Sequence, residues 1–224
     1  MPNVLVIGGS GYLGLVWGTA RSDVKASQLR ANEITALEDV DLTNPHTLTK
    51  AILTHSIDAV IDASSAYEQV AGVLEAIKTA ACTRATILTK DKAVGPKLAF
   101  IYTSGSWVHG SPSRRVNDLT PPGVVHVDDL AAAYVGALDR IDNQLGAWPV
   151  FDVGTENLWI ADLLEAAKAA LGVKAPLEYV GTHGNAFLEA LSLVANIDFA
   201  RARLVLGWQP RRVDFGPNIA CDLT

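Results

Sequence analysis

The stretch that constrains the fold most is an apolar tetrapeptide followed at once by regularly spaced glycines. Residues 4–7 are Val-Leu-Val-Ile, a composition typical of a buried strand. Gly8, Gly11 and Gly14 follow with a three-residue spacing. Glycines at this spacing allow a sharp turn and a close approach to pyrophosphate, and a helix beginning there would offer N–H groups to phosphate. The pattern predicts a dinucleotide-binding turn, and the alternative is a tight strand-to-helix turn without a ligand.

Composition excludes several classes of protein. Hydrophobic residues make up 49% of the 224 positions and charged residues 19%, values ordinary for a globular protein of one domain or slightly more. The net charge of −6 argues against nucleic-acid and anionic-membrane partners. Cys82 and Cys221 lie far apart, without metal-ligand spacing, which predicts no metal site and a reduced, cytoplasmic setting.

Apolar segments of strand and helix type alternate along the chain. Strands are predicted near residues 34–38, 57–63, 98–102 and 148–153, and helices over about 22–31, 44–55, 67–81, 160–171 and 198–206. Residues 124–129 are predicted to lead into a further helix that ends near residue 138. In the 67–81 helix we expect Val70, Val73, Leu74 and Ile77 to share one buried face. Such alternation predicts an α/β fold, a doubly wound parallel sheet with helices on both faces.

The segment after Gly14 allows two interpretations. Residues 12–31 have apolar residues at helical spacing, yet residues 15–22 also have the pattern of a strand ending in a basic residue. A parallel crossover needs about 10–12 residues, so only one interpretation holds. If the strand begins near Val16, the first crossover helix is absent and Arg21 stands just past the second strand. A guanidinium there matches a ribose 2′-phosphate and favours NADP over NAD, whereas the alternative is a solvated surface arginine.

Short motifs in sequence order resemble those of one family. They are Gly8-x-x-Gly11-x-x-Gly14, Asp41-Leu42, Tyr102-Thr103-Ser104-Gly105, Val108-His109-Gly110, His126-Val127-Asp128-Asp129-Leu130-Ala131 and Leu206-Gly207-Trp208-Gln209-Pro210. Together they resemble the extended short-chain dehydrogenase/reductases of the NAD-dependent epimerase/dehydratase branch. The resemblance implies a Rossmann domain over 1–120, then over 121–224 the rest of the sheet and a small C-terminal α/β substrate subdomain.

The resemblance also implies a cofactor site. Asp41 and Leu42 would contact the adenine, and the alternative for Asp41 is a simple turn residue. Ala63, Ser64 and Ser65 follow the carboxyl end of a strand, where ligands bind in open α/β sheets, and would line the nicotinamide ribose. The implied pyrophosphate contacts are Gly8, Gly11, Tyr12, Leu13 and Gly14.

Catalysis in this family uses a Ser or Thr together with a Tyr that has a Lys four residues on. Ser104 is the candidate hydroxyl, with His109 as a substitute proton donor. None of the five tyrosines has the lysine partner, and relative to the family the chain is shortened after Gly14 and after Asn117. In the 126–131 motif, Asp128 or Asp129 is expected to cap a helix rather than to catalyse.

Two functions follow from these residues. The first is an NAD(P)-dependent oxidoreductase, epimerase or dehydratase acting on a small carbonyl- or hydroxyl-bearing substrate, with little activity in this shortened form. The alternative is a catalytically inactive NAD(P)-binding sensor or scaffold, or a truncated form without function. In each case the expected partners are small molecules and, for the folded protein, a second copy in a homodimer.

Overall fold

A computed structural model describes residues 2–7, 16–64, 66–105, 123–142, 144–158, 160–178, 181–191 and 197–215 of this chain. The chain divides into two compact units, Met1–Thr103 and Ser104–Thr224. The expected domain boundary at 120/121 stays a prediction, because residues 106–122 lie outside the described ranges.

The first unit is built on a five-stranded parallel sheet with the order β3-β2-β1-β4-β5. The chain moves outward from β1 in one direction and then returns to the other side of β1, so the sheet is doubly wound as expected. The strands are β1 (Val4–Ile7), β2 (Val16–Thr19), β3 (Thr35–Leu37), β4 (Ala59–Asp62) and β5 (Ala99–Tyr102).

The strand interpretation of the ambiguous segment is confirmed. Val16 pairs with Val4 and Gly18 with Val6, in parallel register. Only residues 8–15 connect β1 to β2, and eight residues are fewer than the dozen or so that a parallel crossover through a helix takes. The first helix that the structure describes in this unit follows β2.

Two helices of the first unit begin and end close to where the sequence predicts, and a third begins close to its predicted start. Helix α1 (Asp23–Ala31) is capped by Ser22, whose hydroxyl accepts from the Lys25 N–H at 3.4 Å. Helix α2 (Pro45–Thr54) is capped by Asn44. Helix α3 (Val70–Lys90) follows a 3-10 turn at Tyr67–Gln69.

Helix α3 differs from its prediction in length and in orientation. It continues past residue 81 to Lys90, and in this extension the hydroxyls of Thr83, Thr86 and Thr89 each donate to the carbonyl four residues earlier, which satisfies these hydroxyls within the helix. Its buried positions are Val73, Ala76, Ile77 and Ala80, whereas Leu74 is 54% exposed. The prediction that Leu74 shares the buried face was wrong.

Small side chains explain that rotation of α3. Ala76 and Ala80 allow α3 to approach α2 closely, and the Thr49 hydroxyl on α2 donates to the Ala76 carbonyl at 3.2 Å. With Leu5, Ile7 and Val60 of the sheet these helices form the larger core cluster. A second cluster around Val16, Ala26 and Leu29 lies under α1, on the other face.

The second unit consists of short elements: the antiparallel pair β6 (Gly123–Val124) and β7 (Glu156–Asn157), with α4 (Val127–Leu138), α5 (Ile160–Leu171), α6 (Ala186–Leu191) and α7 (Ala200–Leu206). Helix α7 ends at Gly207 in the left-handed conformation, with φ of 62°. Phe199 packs on Gly154 so closely that a Cβ there would lie 2.3 Å from its ring.

The strand expected over 148–153 does not form. None of the described strands of this unit pairs with it, and the Val150 N–H donates to the Trp148 carbonyl. Trp148 is 69% exposed, and the Arg201 guanidinium stacks over the Phe151 ring, 5.2 Å from its centroid.

Candidate functional site

A cavity of about 540 Å³ lies in the first unit, where the carboxyl ends of β1, β2, β3 and β4 meet. The strand order changes direction beside β1, which is where ligands bind in open α/β sheets. The described residues that line this cavity are Ile7, Thr19, Arg21, Lys25, Gln28, Leu29, Val40, Asp41, Leu42, Thr43, Ser64, Ala66, Tyr67, Glu68 and Gln69.

Asp41 is held in a fixed turn after β3. Its Oδ1 accepts hydrogen bonds from the Thr43 N–H at 2.9 Å and from the Thr43 hydroxyl at 2.7 Å. These bonds, the side-chain one first, lower the pKa of the Asp41 carboxyl from its ordinary value. Both bonds use Oδ1, which leaves the Oδ2 atom of an ionised carboxylate available to a ligand donor in the cavity.

The Thr47 side chain stabilises this turn through two hydrogen bonds to the Asp41 backbone. The Asp41 N–H donates to the Thr47 hydroxyl, which in turn donates to the Asp41 carbonyl, both at 2.9 Å. Leu42 is half-buried and packs against the larger core cluster. The two residues thus present one acceptor oxygen and one apolar face, which are complementary to the amino group and the ring of an adenine.

Ser64 lies on the opposite wall, two residues beyond β4. Its N–H and hydroxyl both donate to Asp62 Oδ1, at 3.0 and 2.7 Å, and its Oγ accepts from the Ala66 N–H. Asp62 is 1% exposed, so this pair of bonds satisfies one oxygen of a buried carboxylate. Asp62 therefore determines the position of Ser64, although sequence reasoning did not single it out.

Two cationic side chains line the wall formed by the β2–α1 connection. Arg21 precedes the helix cap Ser22, and Lys25 lies in the first turn of α1. Within the described part of the chain neither cation forms an ion pair, whereas Arg30 on the same helix pairs with Glu38. Lys25 is not among the site residues predicted from the sequence. The feature that would indicate it is a second basic residue four positions after Arg21.

The other predicted site residues are placed as follows. Ala63 is half-buried outside the cavity lining, and its N–H donates to the Ile7 carbonyl at 3.0 Å. Ser104 is exposed, two residues beyond β5, and belongs to the second unit. The predicted residues Gly8, Gly11, Tyr12, Leu13, Gly14, Ser65 and His109 lie outside the described ranges.

The 126–131 motif has a structural role in the second unit. His126 is the residue that caps α4, its Nδ1 accepting from the Asp128 N–H at 3.1 Å, so the expectation of an aspartate cap was wrong. Asp129 is 4% exposed and accepts from the N–H groups of Arg211 and Arg212 at 2.9 and 2.8 Å. Trp208, packed as expected, donates to the Asp129 carbonyl.

In the described ranges, no group of three or more His, Cys, Asp or Glu side chains is arranged to hold a metal ion. Nor does any described helix combine the length and hydropathy that crossing a membrane takes.

No protein-family model matches the sequence, and no curated protein matches it either. Solved structures do match. A UDP-glucose 4-epimerase from Stenotrophomonas maltophila, with NAD and formylated UDP-arabinopyranose bound, is 18% identical with a TM-score of 0.62, over 99% of this chain and 96% of that chain.

Two further matches have different activities. A dTDP-glucose 4,6-dehydratase from Bacillus anthracis in complex with NAD is 12% identical, with a TM-score of 0.53 over 98% of this chain and 94% of that chain. An NADPH-dependent quinone oxidoreductase from Escherichia coli, complexed with NADPH, is 14% identical, with a TM-score of 0.53 over 99% and 100%. At these identities the likeness establishes a shared fold, and the fold expected from the motifs is confirmed.

Proposed function

We propose, from the extended short-chain dehydrogenase/reductase fold of this chain, that it binds NADP(H) in the cavity of its first unit. One observation carries the proposal: the cavity brings Arg21, Asp41, Leu42 and Ser64 to the carboxyl edge of a single sheet. These residues follow three different strands, and the sequence predicts a cofactor contact for each of them. The solved relatives of this fold carry NAD or NADPH.

The residues present suit each part of the adenosine half. Asp41 Oδ2 would accept from the adenine amino group, while Leu42 packs on the ring. Arg21 would pair with the 2′-phosphate, since a guanidinium binds phosphate in a bidentate manner, and no acidic residue replaces it at the end of β2. Arg21 and Lys25, which form no ion pair within the described ranges, would pair with the 2′- and 5′-phosphate groups of the adenosine half.

Hydride transfer, which the nicotinamide supplies, would act on a small substrate with a carbonyl or hydroxyl group. The substrate oxygen then needs a proton donor, a contribution of about 10²–10⁴-fold to the rate. Ser104 can hydrogen-bond the oxygen but is a weak acid, and His109 is the one titratable substitute close to it in the sequence. We therefore propose weak turnover, as an oxidoreductase or as an epimerase or dehydratase.

A titration of NADPH fluorescence against NADH tests the cofactor assignment. We expect tighter binding of NADPH, and a loss of about 10- to 100-fold in NADPH affinity for Arg21→Ala, the effect of removing a charge-assisted hydrogen bond. Arg30→Ala is the control, since Arg30 is an exposed arginine on α1, the helix that follows Arg21, and lies outside the cavity lining. Equal affinities for the two cofactors, or equal effects of the two substitutions, would refute the role of Arg21.

A second candidate is a dinucleotide sensor or scaffold without catalysis. The observation in its favour is that no tyrosine in the sequence has a lysine four residues on. Single-turnover oxidation of bound NADPH with a panel of carbonyl compounds separates the two candidates. Cofactor binding without any oxidation supports the sensor, and oxidation that depends on His109 supports the enzyme.

A further inference from the structure

We infer that Asp62 is a positioning residue for the wall that the segment after β4 contributes to the cavity. Asp62 is buried and is not among the described lining residues, so it affects ligand affinity without contacting the ligand. It acts through Ser64 and the turns that follow. The inference rests on the proposed function and deepens it, because it concerns the same cavity.

The backbone of Asp62 is fixed on both sides. Asp62 is the last residue of β4, and its register partners are Ile7 on β1 and Tyr102 on β5. The Ala63 N–H donates to the Ile7 carbonyl at 3.0 Å. On the other side, the Thr103 N–H donates to the Asp62 carbonyl at 2.9 Å. The carboxyl group therefore extends from one of the most firmly paired points of the sheet.

Consecutive hydrogen-bonded turns connect this carboxyl group to the cavity wall. Asp62 Oδ1 accepts from the N–H and the hydroxyl of Ser64, and Ser64 Oγ accepts from the Ala66 N–H at 3.3 Å. The Ala66 carbonyl accepts from the Gln69 N–H at 3.0 Å, at the 3-10 turn. The wall thus belongs to turns that begin at Asp62, and its described lining residues are Ser64, Ala66, Tyr67, Glu68 and Gln69.

The same bonds determine what the Ser64 hydroxyl offers to a ligand. Its single proton is donated to Asp62, and one of its two lone pairs accepts from the Ala66 N–H. One lone pair is left for the cavity, so Ser64 accepts from a ligand donor and does not donate. Without the Asp62 acceptor the hydroxyl can rotate, and this preference is lost.

Asp58, directly before β4, shows how a carboxyl group with a purely structural role is used in this unit. Its Oδ1 accepts from the Arg84 guanidinium of α3 at 3.0 Å, and its Oδ2 accepts from the Asn3 N–H at 3.1 Å. These bonds join segments that are distant in sequence. Within the described ranges, the side-chain hydrogen bonds of Asp62 reach only Ser64. Burying a carboxyl group is costly, and for Asp62 the return is an ordered cavity wall.

A fluorescence titration of NADPH on the full chain tests the inference. We expect Asp62→Ala to weaken NADPH binding about tenfold, and Asp62→Asn, whose amide oxygen can still accept both bonds, to stay within about threefold of the unsubstituted chain. Ser64→Ala should also cost about tenfold. Combining Asp62→Ala with Ser64→Ala should cost no more than that, whereas independent effects would multiply to about 100-fold.

Asp58→Ala is the matched control, because it removes a carboxyl group at the other end of the same strand. It should lower the urea midpoint and leave the affinity for NADPH unchanged. Asp62→Val, which also lacks the acceptor but favours a strand, is measured in parallel in case Asp62→Ala does not fold.

The outcomes separate this inference from the proposed function. Unchanged NADPH affinity without the Asp62 acceptor, or a 100-fold loss in the combined variant, would overturn the inference and leave the NADP(H) site in place. Amide hydrogen exchange tests the inference without a ligand, since the Ala66 N–H should exchange faster in Asp62→Ala than in Asp58→Ala. Equal exchange would overturn it. If exchange responds as expected but the unsubstituted chain binds no NADPH, the proposed function falls, and Asp62 stays the positioning residue of a cavity for another ligand.

Discussion

Helix α3 provides a prediction in which two neighbouring residues respond oppositely to the same kind of truncation. Ile77 is 6% exposed and belongs to the larger core cluster, whereas Leu74 on the same helix is 54% exposed. Periodicity in the sequence places both on one face. The observed packing against α2 predicts that only Ile77→Ala severely destabilises the first unit.

The expected magnitudes follow from burial. Truncating a core Ile to Ala costs about 2–5 kcal/mol, since the lost transfer free energy is increased by the cavity left behind. A fully buried Leu contributes about 1.5–3 kcal/mol, so half-exposed Leu74 loses roughly 1 kcal/mol, part of which the higher helix propensity of Ala offsets. The free energies of unfolding of the two variants should therefore differ by about 1–4 kcal/mol.

Urea unfolding, monitored by far-ultraviolet circular dichroism, gives the free energy of unfolding of each variant. Hydrogen exchange of peptides from α2 and α3 assigns the loss to the first unit, because the second unit has its own helices. Equal destabilisation by the two substitutions, or a larger effect of Leu74→Ala, would refute the orientation of α3 and with it the close approach of α2.

Three further predictions concern the site. Gly11→Val should abolish NADPH binding while the chain stays folded, because a side chain there would occupy space the pyrophosphate needs; unchanged affinity would remove the dinucleotide site from this turn. Residual NADPH-dependent turnover should be weak and should fall further in His109→Ala, by up to about 10²–10⁴-fold, and dehydrogenase-like rates in that variant would show that another group is the acid. The hydrogen bonds from Thr43 lower the pKa of Asp41, so they stabilise the folded state fully above the ordinary carboxyl pKa. This stabilisation is lost as pH falls through the lowered pKa. Thr43→Val should accordingly shift the urea midpoint at neutral pH and not in strong acid, and a shift of the same size at both would contradict this account.

Local features of the sequence determined most of the element boundaries. Ser22 and Asn44 cap their helices because their side chains accept N–H groups within three residues, and Gly207 ends α7 because glycine adopts a positive φ without strain. The apolar run 4–7 forms a buried strand in any α/β arrangement. Short-range chemistry suffices for each of these, so the sequence alone predicts them.

Tertiary packing decided the rest. The segment 16–19 has the pattern of either a helix or a strand, and its pairing with β1 selected the strand. Segment 148–153 has the composition of a strand, but no described strand of its unit pairs with it, and it stays irregular. Likewise the cavity unites Arg21, Lys25, Asp41 and Ser64, which are separated in the chain by up to 43 positions. Neighbours across a sheet or between helices are set by burial and hydrogen bonding over the whole unit, and a pattern within one segment does not contain that information.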